Sequence, residues 1–155
     1  RNLREVEIPG DDEVILEDLS GECVELFFEV DMGEADELGI SVRCSPDGEE
    51  FTEISVVPEA EVIQINLDKS TTDPSIKYDA ASQVAPFSLT DGEILKLRIY
   101  IDRSIMEVFA NGRQCLTQRI YPTRDDSTGV RLRAKGGRAV AKVIDAWDMT
   151  PVAPW

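Results

Sequence analysis

The sequence of 155 residues contains no histidine. That absence removes Ser-His-Asp and Cys-His catalysis, His-ligated zinc and imidazole acid–base chemistry from this chain. Cysteine is scarce. Cys23, Cys44 and Cys115 are far apart, odd in number and without CxxC spacing, which argues against a cysteine zinc site. Each falls in a strand-like run and reads most simply as a small buried apolar residue; one disulfide plus a free thiol stays open as an alternative, and with it the compartment. Basic residues are few, 16 Lys and Arg against 31 Asp and Glu, for a net charge of −15. Such a balance argues against nucleic acid, whose binding rests on neutralising phosphates, and against an anionic membrane surface. It suits a well-solvated surface. No run of about 18 apolar residues is present, so no membrane-spanning helix is expected. The opening stretch RNLREVEIPGDDEV lacks the apolar core of a signal peptide, and a chain starting on Arg1 is expected to be a processed or excised piece.

What the sequence does contain is alternation. Leu95, Leu97, Ile99 and Ile101 alternate with Lys96, Arg98, Tyr100 and Asp102, the period of a half-buried strand. A two-residue turn at Arg103-Ser104 would set Ile101 opposite Met106, Ile99 opposite Val108 and Leu97 opposite Ala110, all facing one core. Arg-Ser is not the Gly or Asn pair that such turns prefer, which leaves a bulged variant open. Asn111-Gly112 supplies the next hairpin signal, and Gln114–Ile120 closes a three-stranded meander. Elsewhere Val24–Val30, Leu38–Cys44, Phe51–Val57, Val62–Leu67, Gly129–Ala134 and Ala139–Met149 read as strands, the last with Trp147 expected in the core. Residues 1–12 read as a linker or an edge strand, Glu13–Leu16 as a short strand, and Asp68–Phe87 as a long surface loop. Nine to eleven short strands without an amphipathic helix predict a single all-β domain over 1–155, an antiparallel two-sheet sandwich of the concanavalin- or lectin-like jelly-roll kind.

The run IYIDRSIMEVFANGRQ, then RIYPTRDDSTGVRLRAKGG and IDAWDM, resembles the C-terminal β-sandwich domain of glycoside hydrolase family 32. That family contains the invertases, levanases and other β-fructosidases. The resemblance is carried by the combination of an Asp-Arg-Ser turn, Glu-Val-Phe, Asn-Gly, Tyr-Pro and a late Trp. It implies a parent enzyme hydrolysing terminal β-fructosides such as sucrose, inulin or levan. It also implies an N-terminal five-bladed propeller on which this domain packs, and room for association between copies.

The resemblance also supplies a test of catalysis. Family 32 enzymes carry their nucleophile in Asn-Asp-Pro-Asn, a transition-state stabiliser in Arg-Asp-Pro and the acid/base in Glu-Cys, all on the propeller. Here Asn2, Asn66 and Asn111 are the only asparagines and none precedes Asp-Pro, while Arg124-Asp125 is followed by Asp126. Glu22-Cys23 does occur, but at the start of a sandwich strand. The chain alone is therefore expected to be inactive, with no catalytic residue, cofactor or metal. The acidic loops Asp31–Glu37 and Thr71–Asp79 match no calcium-loop spacing and read as solvated loops.

Binding is the remaining candidate. Tyr78, Phe87, Tyr100, Phe109, Tyr121 and Trp155 are the rings that could stack on a sugar. Tyr100 and Phe109 fall on the outward face of the meander beside Arg98 and Glu107. These four residues suit either a neighbouring domain or a sugar, and the resemblance favours the domain. The second reading is a free-standing carbohydrate-binding, lectin-like module.

Overall fold

The computed structural model describes residues 1–150, and Trp155 lies outside them. Twelve strands form among the described residues: β1 (Asn2–Ile8), β2 (Glu13–Ser20), β3 (Cys23–Asp31), β4 (Glu37–Cys44), β5 (Thr52–Val57) and β6 (Val62–Asn66), then β7 (Gln83–Pro86), β8 (Leu95–Asp102), β9 (Ile105–Ala110), β10 (Gln114–Arg119), β11 (Gly129–Lys135) and β12 (Ala139–Asp148). They make two antiparallel sheets of six, ordered β1-β12-β3-β8-β9-β10 and β2-β11-β4-β5-β6-β7.

Alternation drives this arrangement. On β3, Val24, Leu26, Phe28 and Val30 are buried, and on β8 so are Leu95, Leu97, Ile99 and Ile101. The second sheet answers with Leu38, Ile40 and Val42 of β4, Ile54 and Val56 of β5, and Ile63 and Ile65 of β6. The two inner faces meet in one core, as in other packed sandwiches. Each fully buried Leu or Ile side chain contributes roughly 1.5–3 kcal/mol by leaving water.

The β8–β9 hairpin has the register the apolar pattern demands, with Leu97 opposite Ala110, Ile99 opposite Val108 and Ile101 opposite Met106. Its turn is made by Arg103 at φ 53°, a conformation that costs a non-glycine residue little enough for the flanking pairs to impose. Asn111 and Gly112 both take positive φ at the next turn. Within the stretch read as a loop, Gln83–Pro86 forms β7 on the edge of the second sheet. Four residues ending in Pro86 are too short to show a period, and an edge position tolerates proline.

Trp147 departs from expectation: it is 45% exposed. The pairing of β12 with β3 slips by one residue between Ala141 and Val143. One extra residue inverts the facing of everything after it, so Ile144 and Ala146 point inward while Asp145 and Trp147 point outward.

Two buried charges pin the loops. Glu50 is fully buried and accepts hydrogen bonds from Thr72 N–H (3.0 Å), Thr123 N–H (3.1 Å), Thr123 Oγ1–H (2.8 Å) and Arg124 N–H (3.1 Å). Arg43 donates to the Ser127 carbonyl at 2.6 Å and the Arg103 carbonyl at 2.9 Å, and pairs with Glu22 at 3.3 Å. The Glu22-Cys23 pair is thus built into a structural ion pair, with the Cys23 thiol 3.4 Å from Asp102 Oδ1.

Candidate functional site

The outward face of the first sheet gathers the aromatic side chains. The register places Phe27, Arg98 and Phe109 in one cross-strand row over β3, β8 and β9. The neighbouring row holds Trp147, Glu25, Tyr100 and Glu107 on β12, β3, β8 and β9. All four residues singled out from the sequence, Arg98, Tyr100, Glu107 and Phe109, therefore lie side by side.

Arg98 is the centre of the patch. Its guanidinium carbon lies 4.8 Å from the Phe27 ring centroid and 5.9 Å from that of Trp147, within reach of cation–π attraction to both. Glu25 ion-pairs with the same guanidinium. Tyr100 meets Phe109 edge-on at 6.0 Å between centroids, the geometry that aromatic quadrupoles favour. Phe109 remains 38% exposed. Lys96 pairs with Glu29 at 3.1 Å and Arg98 with Glu25, and Glu107 takes part in neither pair. An open groove of about 460 Å³ runs along this face, walled by Phe27 and Phe109 with Lys96 and Asn111 beside them. Flat rings, an ion-paired guanidinium and a half-buried carboxylate thus lie together on this face.

Phe87, Tyr78 and Tyr121, the other candidate rings among the described residues, are engaged within the domain. Phe87 is buried, and Tyr78 stacks on Tyr121 at 4.4 Å while donating to the Leu67 carbonyl at 2.7 Å. In the acidic loops Asp31 accepts from Gly33 N–H at 3.0 Å and Asp73 from Ser75 N–H at 2.8 Å, while Glu37 pairs with Arg133 at 2.8 Å. Among the described residues no group of three or more Cys, Asp or Glu is placed to hold a metal ion. The three thiols are free, with Cys44 buried, Cys23 half-buried and Cys115 exposed, so only Cys44 behaves as a core residue.

Two members of the face were not singled out from the sequence. Phe27 was legible as an outward position of β3, between Leu26 and Phe28. Trp147 was not, because nothing in the residues of β12 announces the slip after Ala141.

The class of protein defined by this structure is an all-β, two-sheet antiparallel sandwich domain, here with aromatic side chains on the outer face of one sheet. The model of the glycosyl hydrolases family 32 C-terminal domain matches residues 2–148, and the chain belongs to that family. It is 31% identical to a levanase of Bacillus subtilis over an alignment of 147 residues that covers 88% of this chain and 21% of the levanase. A 6(G)-fructosyltransferase of Asparagus officinalis is 41% identical over 68 residues, covering 41% of this chain and 11% of that protein. Among solved structures, fructan 1-exohydrolase IIa from Cichorium intybus superposes with a TM-score of 0.80 at 17% identity, over 97% of this chain and 35% of that one. An exo-inulinase from Aspergillus awamori gives 0.77 at 22% identity, over 97% and 28%. At those identities the superpositions show the shared fold. The chain spans about a fifth of the levanase it matches.

Proposed function

We propose that this chain is the non-catalytic C-terminal sandwich of a family 32 enzyme acting on terminal β-fructosides such as sucrose, inulin or levan. In this reading the outer face of the first sheet packs on an N-terminal catalytic propeller. The observation that carries it is the family match over 2–148 in a chain that spans only a fifth of its levanase relative. The relatives' length leaves room for a large second domain, and the motif residues expected of the nucleophile are missing here.

The chemistry of the patch fits a protein partner. Interface cores are enriched in Trp, Tyr, Phe and Arg, and Arg98 with Phe27, Tyr100, Phe109 and Trp147 has that composition. Desolvating Arg98 is eased because Glu25 already neutralises it. Glu107 is left to pair across the interface. Contact between copies of the complete enzyme belongs to the same proposal.

The test is the encoding reading frame. A frame several hundred residues longer, with an Asn-Asp-Pro motif upstream and a product that hydrolyses sucrose or a fructan, is the expected result. A frame ending near this chain, or an active 155-residue chain, would overturn it.

A further inference from the structure

The outer face of the second sheet is built differently. Three small residues, Gly39 and Ser41 of β4 and Ser55 of β5, lie on the outward side yet are buried. They are covered by long neighbours. Arg133 of β11 lies flat across them to reach Glu53 at 2.9 Å and Glu37 at 2.8 Å, and Gln64 donates to Ser55 Oγ at 2.9 Å. A Cβ at Gly39 would come within 2.7 Å of Glu53 Oε2 and 3.1 Å of Arg133 Nη2, so the glycine makes this flat arrangement possible.

Beside this floor is an open groove of about 370 Å³, lined by Phe51, Glu53, Asn66, Asp68, Lys69 and Arg133. The volume falls within the range of small-ligand sites. Phe51 is the half-buried aromatic residue of this lining. Arg133 Nη1 is buried and has no acceptor among the described residues. Asn66 Oδ1 accepts Asp68 N–H at 2.8 Å, a bond in which the side-chain NH₂ takes no part.

We propose that this groove binds a neutral oligosaccharide. The lining combines an aromatic ring with carboxylate, amide, guanidinium and ammonium groups, which between them both donate to and accept from hydroxyls. Charge balance selects a neutral ligand over an anion. Lys69, Arg133 and Lys135 are matched by Glu53, Glu37 and Asp68, with Arg133 and Lys135 already held by Glu37. In a chain of net charge −15, no positive surplus remains here to draw a phosphate or a carboxylate. The inference rests on the proposed function in one respect: the first sheet is the face covered by the catalytic domain, so this one stays open.

Because the chain is strongly acidic, native gels containing inulin, levan or dextran provide the assay. The expected result is slower migration of the 155-residue chain in at least one of these gels, relative to a gel without polysaccharide. The shift should be lost in Phe51→Ala, reduced in Lys69→Ala and kept in Phe109→Ala, with all variants giving the wild-type circular dichroism spectrum. Lys69 makes no ion pair with Glu53 or Glu37, so its removal leaves the Arg133 network intact. Retardation by inulin or levan alone assigns the groove to fructans, and equal retardation by dextran assigns it to neutral glycans in general. Unchanged mobility in all three gels, a shift surviving both Phe51→Ala and Lys69→Ala, or a shift lost only in Phe109→Ala would overturn the site. Such a failure leaves the family 32 proposal standing, since that is decided by the reading frame and the activity of its product.

Discussion

The guanidinium of Arg98 stands 4.8 Å from the ring centroid of Phe27, held there by an ion pair to Glu25. The Arg98 side chain is 39% exposed, so both interactions are screened in the isolated chain. Exposed ion pairs contribute about 0–1 kcal/mol and exposed cation–π contacts about 0.5–1 kcal/mol. Arg98→Met should therefore lower the stability of the 155-residue chain by about 1 kcal/mol or less in urea unfolding. A loss of about 3 kcal/mol would show that the patch serves the sandwich's own fold and not a partner.

Glu50 behaves in the opposite way. It is fully buried and ties the loop before β7 to the loop before β11. Replacing it by Gln puts an NH₂ group against N–H donors and leaves at least one of them unsatisfied. The expected cost is about 2–4 kcal/mol.

The same residue sets an acid limit. Burial by itself would raise the Glu50 pKa; donors around the carboxylate, the Thr72, Thr123 and Arg124 groups among them, outweigh burial and hold it below the ordinary value of 4.5. The Ser127 hydroxyl also lies near enough to lower it, although its geometry falls short of a hydrogen bond. A folded pKa below the unfolded one means that the native state binds fewer protons. The stabilisation is complete above the unfolded value and is lost as the pH falls through the folded one. Urea midpoints measured from neutral pH downward should thus fall in acid, and fall less steeply in Glu50→Gln. Parallel curves would contradict this assignment.

The thiols separate by burial. Burial pushes Cys44 up to about 12, and burial together with the Asp102 carboxylate raises Cys23. Cys115 is exposed on an edge strand. Iodoacetamide at about pH 8 should modify Cys115 first, since the thiolate is the reactive form and access is required. Cys44 should react only in urea. Peptide mass spectrometry showing early Cys44 labelling would mean that β4 opens in the native state.

The sequence was most informative where a strand is half-buried and regular. The β8–β9 register followed from six apolar residues, because a slip by one would have turned all of them to solvent. The outward cluster of Arg98, Tyr100, Glu107 and Phe109 came with it. Trp147 was misplaced because a bulge is a pairing event between β12 and β3, and a single strand's pattern carries no record of it. β7 was missed because its four residues owe their strand form to pairing with β6. The second-sheet groove was hidden for a related reason. Gly39, Ser41 and Ser55 look like weak strand residues until Arg133 is seen lying across them.

In the proposed complete enzyme the outer face of the first sheet is covered by a catalytic domain. Hydroxyl-radical footprinting of the 155-residue chain beside the complete product of its reading frame tests it most directly. The account predicts that Phe109 and Trp147 are labelled in the chain alone and protected in the complete protein, while Phe51 and the exposed Ile15 on the other sheet are labelled in both. Equal labelling of Phe109 and Trp147 in the two samples would contradict it.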